Sequence, residues 1–244
     1  MSKSPRRFQL LSWNLLNDYE TPRHPSQSER INHLASLIKE TQQSELPVVL
    51  YACEGSRVQH LLRIAKSCGL SVVGTPSPYT VNDHMMFAVS PSIASSAEAY
   101  FIPFQRQASK FGVLALRLGD QTIIGAHYPW RPLRDTLARH RATDDIIAHL
   151  TGKGPCVVTG DLNSMAWMPA RKRLVRAGLI EVHGADRPGF PQAKYHGLTF
   201  PRLAPKVSID AMYTSPDYAV TDAQYFHDDA SDHPLLSAVL ELRT

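Results

Sequence analysis

The chain of 244 residues has few cysteines, no long apolar run and no dominant charge of one sign. Its three cysteines, Cys53, Cys68 and Cys156, are odd in number and show no Cys-x-x-Cys spacing. That argues against a disulfide framework and against a structural zinc site. The N-terminus, Met1 to Arg7, is basic, but the segment Phe8 to Asn14 is too short and too polar to serve as a signal core. No apolar run approaches the length of a membrane span. The chain therefore reads as intracellular, cytoplasmic and reduced. Linkers and low-complexity segments are also missing, so one domain over residues 1–244 is expected.

What is present is an ordinary globular composition, 43% hydrophobic and 20% charged. A chain of this size buries roughly 70–75% of its unfolded surface, which allows a substantial core. The net charge of +4 is mild and favours polyanionic partners over cationic ones.

Hydrophobic periodicity organises the chain. Phe8 to Trp13 reads as a strand. Ser26 and Glu29 make a capping-box pattern that opens a helix with Ile31, Leu34, Leu37 and Ile38 on one face. Pro47 to Cys53 is a solid apolar strand ending in Glu54. A second amphipathic helix carries Val58, Leu61, Leu62 and Ala65, and Gly69 stops it. Strands follow at 70–73, 85–89 and 99–104. Residues 111–118 and 121–127 form a hairpin about Gly119-Asp120. A helix over 133–150 leads to a strand at 155–159 that ends in Gly160-Asp161. A short helix over 169–177 stops at Gly178, and strands at 207–213, 219–225 and 235–242 close the chain. Strand, helix, and strand ending in an acidic residue occurs twice, at 8–54 and at 121–161. Two such halves predict an α/β (α+β) fold, a four-layer αββα sandwich of two packed mixed β-sheets flanked by helices. Both acidic ends would then meet at one rim.

Chemistry-bearing residues sit at or near strand ends: Asn14, Glu54, Asp161 with Asn163, Asp210, and the pair Asp232-His233. Phosphate-ester hydrolysis needs a neutralised oxyanion, an aligned water and a stabilised leaving oxygen. Carboxylates and an amide suit Mg²⁺ or Mn²⁺. A histidine can donate to a phosphoryl oxygen near neutral pH, and a neighbouring aspartate can hold its tautomer.

The ordered motifs are Leu11-Ser12-Trp13-Asn14, Ala52-Cys53-Glu54, Ala126-His127-Tyr128-Pro129, Gly160-Asp161-Leu162-Asn163, Ser208-Ile209-Asp210 and Ser231-Asp232-His233-Pro234. In this order and spacing the chain resembles the endonuclease/exonuclease/phosphatase superfamily, with its DNase-like fold, over nearly its whole length. The resemblance implies that Glu54 holds the metal directly and that Asn14 and Asp232 help to place it. It implies that Asp161 orients or activates the attacking water and that Asn163 holds the phosphate. His233 would contact the scissile phosphate or act as acid/base, Asp210 would support a histidine, and His127 would be a second phosphate-contacting histidine. The chain departs from the family pattern at Cys53, where a Gln usually precedes the metal Glu. Residues 83–87 lack the usual Gly and Arg character, and His127 to Trp130 replaces the Tyr-containing motif of abasic-site endonucleases. These departures count against the abasic-site branch.

Each motif also has a plain reading, as a helix cap, a turn residue or a buried histidine. Trp130 and Trp167 follow site motifs and could stack on a base or a sugar, or merely pack at a rim. Arg131, Arg134, Arg139 and Arg141 form one basic run, and Arg171, Lys172, Arg173 and Arg176 another. Such runs are by default solvated helix faces, and here they also suit a phosphate-tracking rim. The leading expectation is a divalent-metal phosphodiesterase, a nuclease acting on DNA or RNA with Mg²⁺ or Mn²⁺. The alternatives are a phosphatase or phosphodiesterase of small molecules or lipid headgroups, and a catalytically inactive binding module. The two-metal phosphoesterase class is disfavoured, because the chain has no Asp-x-His opener and no Gly-x-His-x-His closer.

Overall fold

The computed structural model describes residues 4–15, 26–55, 57–74, 84–104, 112–128, 136–183, 194–195, 198–199, 209–228, 230–231 and 233–244. The strands in chain order are β1 (Arg7–Asn14), β2 (Val48–Gly55), β3 (Ser71–Val73), β4 (His84–Val89), β5 (Ala97–Pro103), β6 (Gly112–Leu118) and β7 (Gln121–His127). They continue as β8 (Cys156–Asp161), β9 (Ile180–Glu181), β10 (Lys194–Tyr195), β11 (Leu198–Thr199), β12 (Asp210–Thr214), β13 (Tyr218–Phe226) and β14 (Leu235–Leu242). The α-helices are α1 (Gln27–Thr41), α2 (Val58–Ser67), α3 (Thr136–Leu150) and α4 (Pro169–Arg176). A 3₁₀ turn at Pro91–Ser96 and the short strands β9, β10 and β11 are features that periodicity does not signal.

The long strands form two six-stranded mixed sheets, ordered β13-β14-β1-β2-β4-β3 and β5-β6-β7-β8-β12-β9. Within each sheet one parallel pair is joined through a helix: β1 with β2 through α1, and β7 with β8 through α3. The repeated strand–helix–strand unit in the sequence is therefore a structural repeat. Parallel neighbours need a long crossover to carry the chain back before the next strand can begin, and a helix supplies it in both cases.

Alternation along the strands sorts the core into three layers. Phe8, Leu10, Val49, Tyr51, Phe87, Leu114, Leu116, Ile123, Val157 and Met212 fill the space between the sheets. Leu11, Trp13, Leu50 and Ala52 face the other way and pack on Ile31, Leu34 and Ile38 of α1 and on Leu61, Ile64 and Ala65 of α2. Val113, Ile124, Val158 and Tyr213 pack likewise on Ala142 and Ile146 of α3 and Leu174 of α4. This is the four-layer αββα arrangement. Leu62, expected on the buried face of α2, is 41% exposed, because Leu61, Ile64 and Ala65 complete that stripe without it. The α1 cap forms as the sequence predicts: the Ser26 hydroxyl oxygen accepts from the Glu29 backbone N–H at 3.2 Å. No helix among the described residues is long and apolar enough to cross a membrane.

Candidate active site

The same alternation that builds the inter-sheet core builds the site. Asn14 continues the inward row of Leu10 and Ser12 on β1. His127 continues that of Ile123 and Gly125, Asp161 that of Val157 and Thr159, and Asp210 precedes Met212 on β12. These residues lie where β1, β7 and β8 end and β12 begins, so their inward side chains meet at one rim of the sandwich. Register fixes the match: Asn14 sits opposite Cys53, His127 opposite Asp161, and Asp210 opposite Asp161.

Glu54 is the exception to the alternation. By period it belongs to the helix-facing row of Leu50 and Ala52. The β2–β4 register shifts between Ala52 and Gly55, and Glu54 takes φ 55°. This bulge turns its carboxylate into the inter-sheet rim, a use of strand irregularity typical of functional sites. Gly160 is the other backbone accommodation. It has φ 128°, and a Cβ there would stand 2.1 Å from the Ala126 carbonyl oxygen and 2.9 Å from the Tyr51 ring.

Asp161 is the hub. Its Oδ2 accepts from Asn14 Nδ2 at 3.0 Å and Asn163 Nδ2 at 3.2 Å, and its Oδ1 accepts from the Asn163 backbone N–H at 2.8 Å. Two imidazoles face the same Oδ2, with His127 Nε2 at 3.8 Å and His233 Nε2 at 3.9 Å. Asn163, itself at φ 43°, also donates to the Tyr128 carbonyl at 2.8 Å. His233 Nδ1 lies 2.8 Å from Asp210 Oδ2, and both residues are buried. A carboxylate there assigns the proton to Nδ1 and presents Nε2 to the rim. The loop that carries His233 is pinned to β1 and α1. Trp13 Nε1 donates to the His233 carbonyl at 2.8 Å, Ser231 Oγ to the Asn14 carbonyl at 2.7 Å, and Arg30 Nε to the Ala230 carbonyl at 2.7 Å.

Glu54 Oε1 lies 3.1 Å from His127 Nε2. Burial alone would raise the Glu54 pKa. The hydrogen bond and charge of His127, the charge of His233 and a hydrogen bond from Asn14 outweigh that and bring it to about 2. The carboxylate is thus anionic at any physiological pH, as a hard-cation ligand must be. Among the described residues two groups have ligand atoms within 4.8 Å of one another, Glu54 with His127 and Asp161, and Asp161 with Asp210 and His233. Carboxylate oxygens predominate in both, with amides beside them, a donor set that fits Mg²⁺ or Mn²⁺.

A profile of the endonuclease/exonuclease/phosphatase family matches residues 11–233. The chain belongs to that family. Members of the endonuclease/exonuclease/phosphatase family are phosphoesterase hydrolases and generally depend on divalent metals. Solved structures with the same fold include truncated Caenorhabditis elegans TDP2, at TM-score 0.70 and 15% identity, covering 96% of this chain and 97% of that one. The human Nocturnin catalytic domain with bound sulfate aligns at TM-score 0.69 and 13% identity, over 98% and 95%. Bacteroides thetaiotaomicron mannosyl-6-phosphatase Bt3783 aligns at 0.66 and 13%, over 97% and 100%. No curated protein sequence matches the chain.

Of the site residues expected from sequence, Asn14, Glu54, His127, Asp161, Asn163, Asp210 and His233 come together. Asp232, Trp130, Arg131 and Arg134 lie outside the described residues. Trp167 is 52% exposed, four residues beyond Asn163. The basic runs need correction. Arg139 and Arg171 are buried, not solvated or free to track phosphates, and Arg173 pairs with Asp144 at 3.0 Å. Arg171 stands three residues before buried Leu174, and Arg139 three before buried Ala142, so helical periodicity carries a signal that both belong to the inner stripes.

Proposed function

We propose that the protein is a divalent-metal-dependent phosphodiesterase, a nuclease hydrolysing DNA or RNA, built as one catalytic domain over residues 1–244. The observation that carries the hydrolytic reading is the convergence of Glu54, Asp161 and the Asp210–His233 pair, with Asn14 and Asn163, at one rim. Glu54 would hold the cation, with Asn14 and Asp232 helping to place it. A bound Mg²⁺ or Mn²⁺ supplies positive charge to the phosphoryl and leaving oxygens.

Asp161, oriented by the Asn14 and Asn163 amides, aligns the attacking water and accepts its proton as the new O–P bond forms and the ester O–P bond breaks. Asn163 and His127 contact phosphoryl oxygens. His233, held by Asp210 through Nδ1 and acting as the imidazolium, which carries a proton on both nitrogens, would donate from Nε2 to the developing charge. Substrate would lie along Trp130, Arg131, Arg134 and Trp167. The exposed Trp167 ring with exposed Lys172 and Arg176 supports a polyanionic chain. Buried and unbridged Cys53, Cys68 and Cys156 suit a reducing, cytoplasmic setting.

A second reading has a specific observation in its favour. Burial of Arg139 and Arg171 leaves two fewer cations on the surface than the basic runs suggest, and a smaller basic surface suits a small or headgroup phosphate ester. The deciding experiment offers purified protein with Mg²⁺ or Mn²⁺ single- and double-stranded DNA, RNA, an inositol phosphate and a choline phospholipid across a salt series. Cleavage of nucleic acid that falls steeply with salt supports the nuclease. Faster turnover of a small ester with little salt effect replaces it with the second reading. Undiminished activity in excess chelator overturns both.

A further inference from the structure

We infer that Arg171 is a positioning residue for the catalytic loop, acting through a buried guanidinium that fixes the backbone beyond Asp161 and Asn163; this rests on the hydrolytic reading of the site. Arg171 lies on α4, outside the rim, and its side chain is fully buried. Its guanidinium fork engages two strands and the loop after β8. Nε donates to the Tyr213 hydroxyl on β12 at 2.7 Å, and one terminal nitrogen donates to the Ser164 carbonyl at 3.2 Å. The other terminal nitrogen pairs with the Glu181 carboxylate on β9.

A buried cation is costly unless it is paired and hydrogen-bonded, and a simple layer-packing role needs no charge. Leu174, beside it on the inner stripe, packs the same layer without one. What the charge adds is geometric. Residues 161–164 leave β8 through Asn163 at φ 43°, a left-handed conformation that asparagine tolerates better than most residues and that the contacts on either side of it hold in place. On the near side the loop is held by Asp161, whose Oδ1 accepts from the Asn163 N–H. On the far side the Ser164 carbonyl is held by Arg171. The planar fork joins that carbonyl to Tyr213, three residues along the strand that begins with Asp210. One side chain thus ties the loop bearing Asp161 and Asn163 to the strand bearing the partner of His233. Lysine lacks the fork and cannot make three such bonds in fixed directions.

The test compares wild type, Arg171→Ala, Arg171→Lys, Glu181→Gln and Tyr213→Phe, with metal-dependent turnover of the best substrate and thermal unfolding measured for each. Displacement of the loop by an ångström or so should lower kcat of Arg171→Ala by about 10²-fold with KM changed little. Millimolar guanidinium should restore a substantial part of that loss at a concentration that leaves wild type unaffected. Arg171→Lys should fall between wild type and Ala. Should Arg171→Ala fail to fold, Tyr213→Phe and Glu181→Gln, each removing one anchor, should still lower kcat several-fold. Wild-type kcat in the folded variants, or a loss that guanidinium leaves untouched and that tracks only the fraction unfolded, overturns the inference. Wild-type protein that hydrolyses no phosphate ester with metal sinks the hydrolytic reading instead, and the two failures are thereby distinct.

Discussion

His183 offers a measurable link between pH and the closure of the sandwich. It follows β9 at the edge of one sheet, and its Nε2 reaches across to the carbonyls of Gln224 on β13 at 3.2 Å and Ser237 on β14 at 3.3 Å in the other sheet. Its ring lies 4.4 Å from that of Tyr225, and Nδ1 is buried with no hydrogen-bond partner among the described residues. Burial lowers its pKa from 6.5 to about 4, against the smaller opposing effect of the two carbonyls. The folded protein therefore binds fewer protons here than the unfolded chain between these values. The stability His183 contributes is complete above pH 6.5 and is lost as pH falls towards 4. At about 1.4 kcal/mol for each pKa unit, the full loss is on the order of 3 kcal/mol. Denaturant unfolding of wild type and His183→Gln at pH 7, 6, 5 and 4.5 isolates it. His140, His149 and His227 also have lowered pKa values, chiefly through burial, and act in the same direction. They are common to both proteins and cancel in the difference. The stability difference between the two proteins should shrink steadily in favour of the variant as pH falls from 6.5. A difference that does not vary with pH would refute the account.

Gly160→Ala should unfold at least about 2 kcal/mol more easily, because its Cβ meets the Ala126 carbonyl of the neighbouring strand, which cannot move without breaking the β7–β8 ladder. Any folded fraction should also have lost activity, since Asp161 follows directly. Asp210→Asn replaces the charged acceptor of the buried His233 bond; urea unfolding should show a loss of about 1.5–3 kcal/mol, and turnover should drop while KM moves little. Glu54→Ala should abolish metal-dependent turnover yet fold; isothermal titration with Mn²⁺ checks whether the loss lies in cation binding. His233→Ala should lower kcat by about 10²-fold, and near-normal turnover would show that the central histidine lies elsewhere.

Much of this molecule is legible in its sequence because alternation and capping are local. Period-two rows in 8–14, 121–127 and 156–161 specify which side chains enter the inter-sheet space, and their last inward members are Asn14, His127 and Asp161. The repeated strand–helix–strand unit favours the parallel pairs, since a parallel neighbour needs a long crossover and a helix supplies one. Tertiary structure alone decides the rest. Strand alternation sends Glu54 towards the helices, and only the register slip against β4 turns it to the site. The partnership of Asp210 with His233 spans 23 residues and two sheets, which no local pattern encodes. The basic run at 171–176 reads as a solvated face, yet Arg171 is buried because Glu181, Tyr213 and the Ser164 carbonyl surround it with acceptors. Sequence determines which face a residue occupies through short-range geometry. Whether a charge on that face is tolerated depends on partners brought in by distant strands, because the cost of burying it is set by what it can bond there.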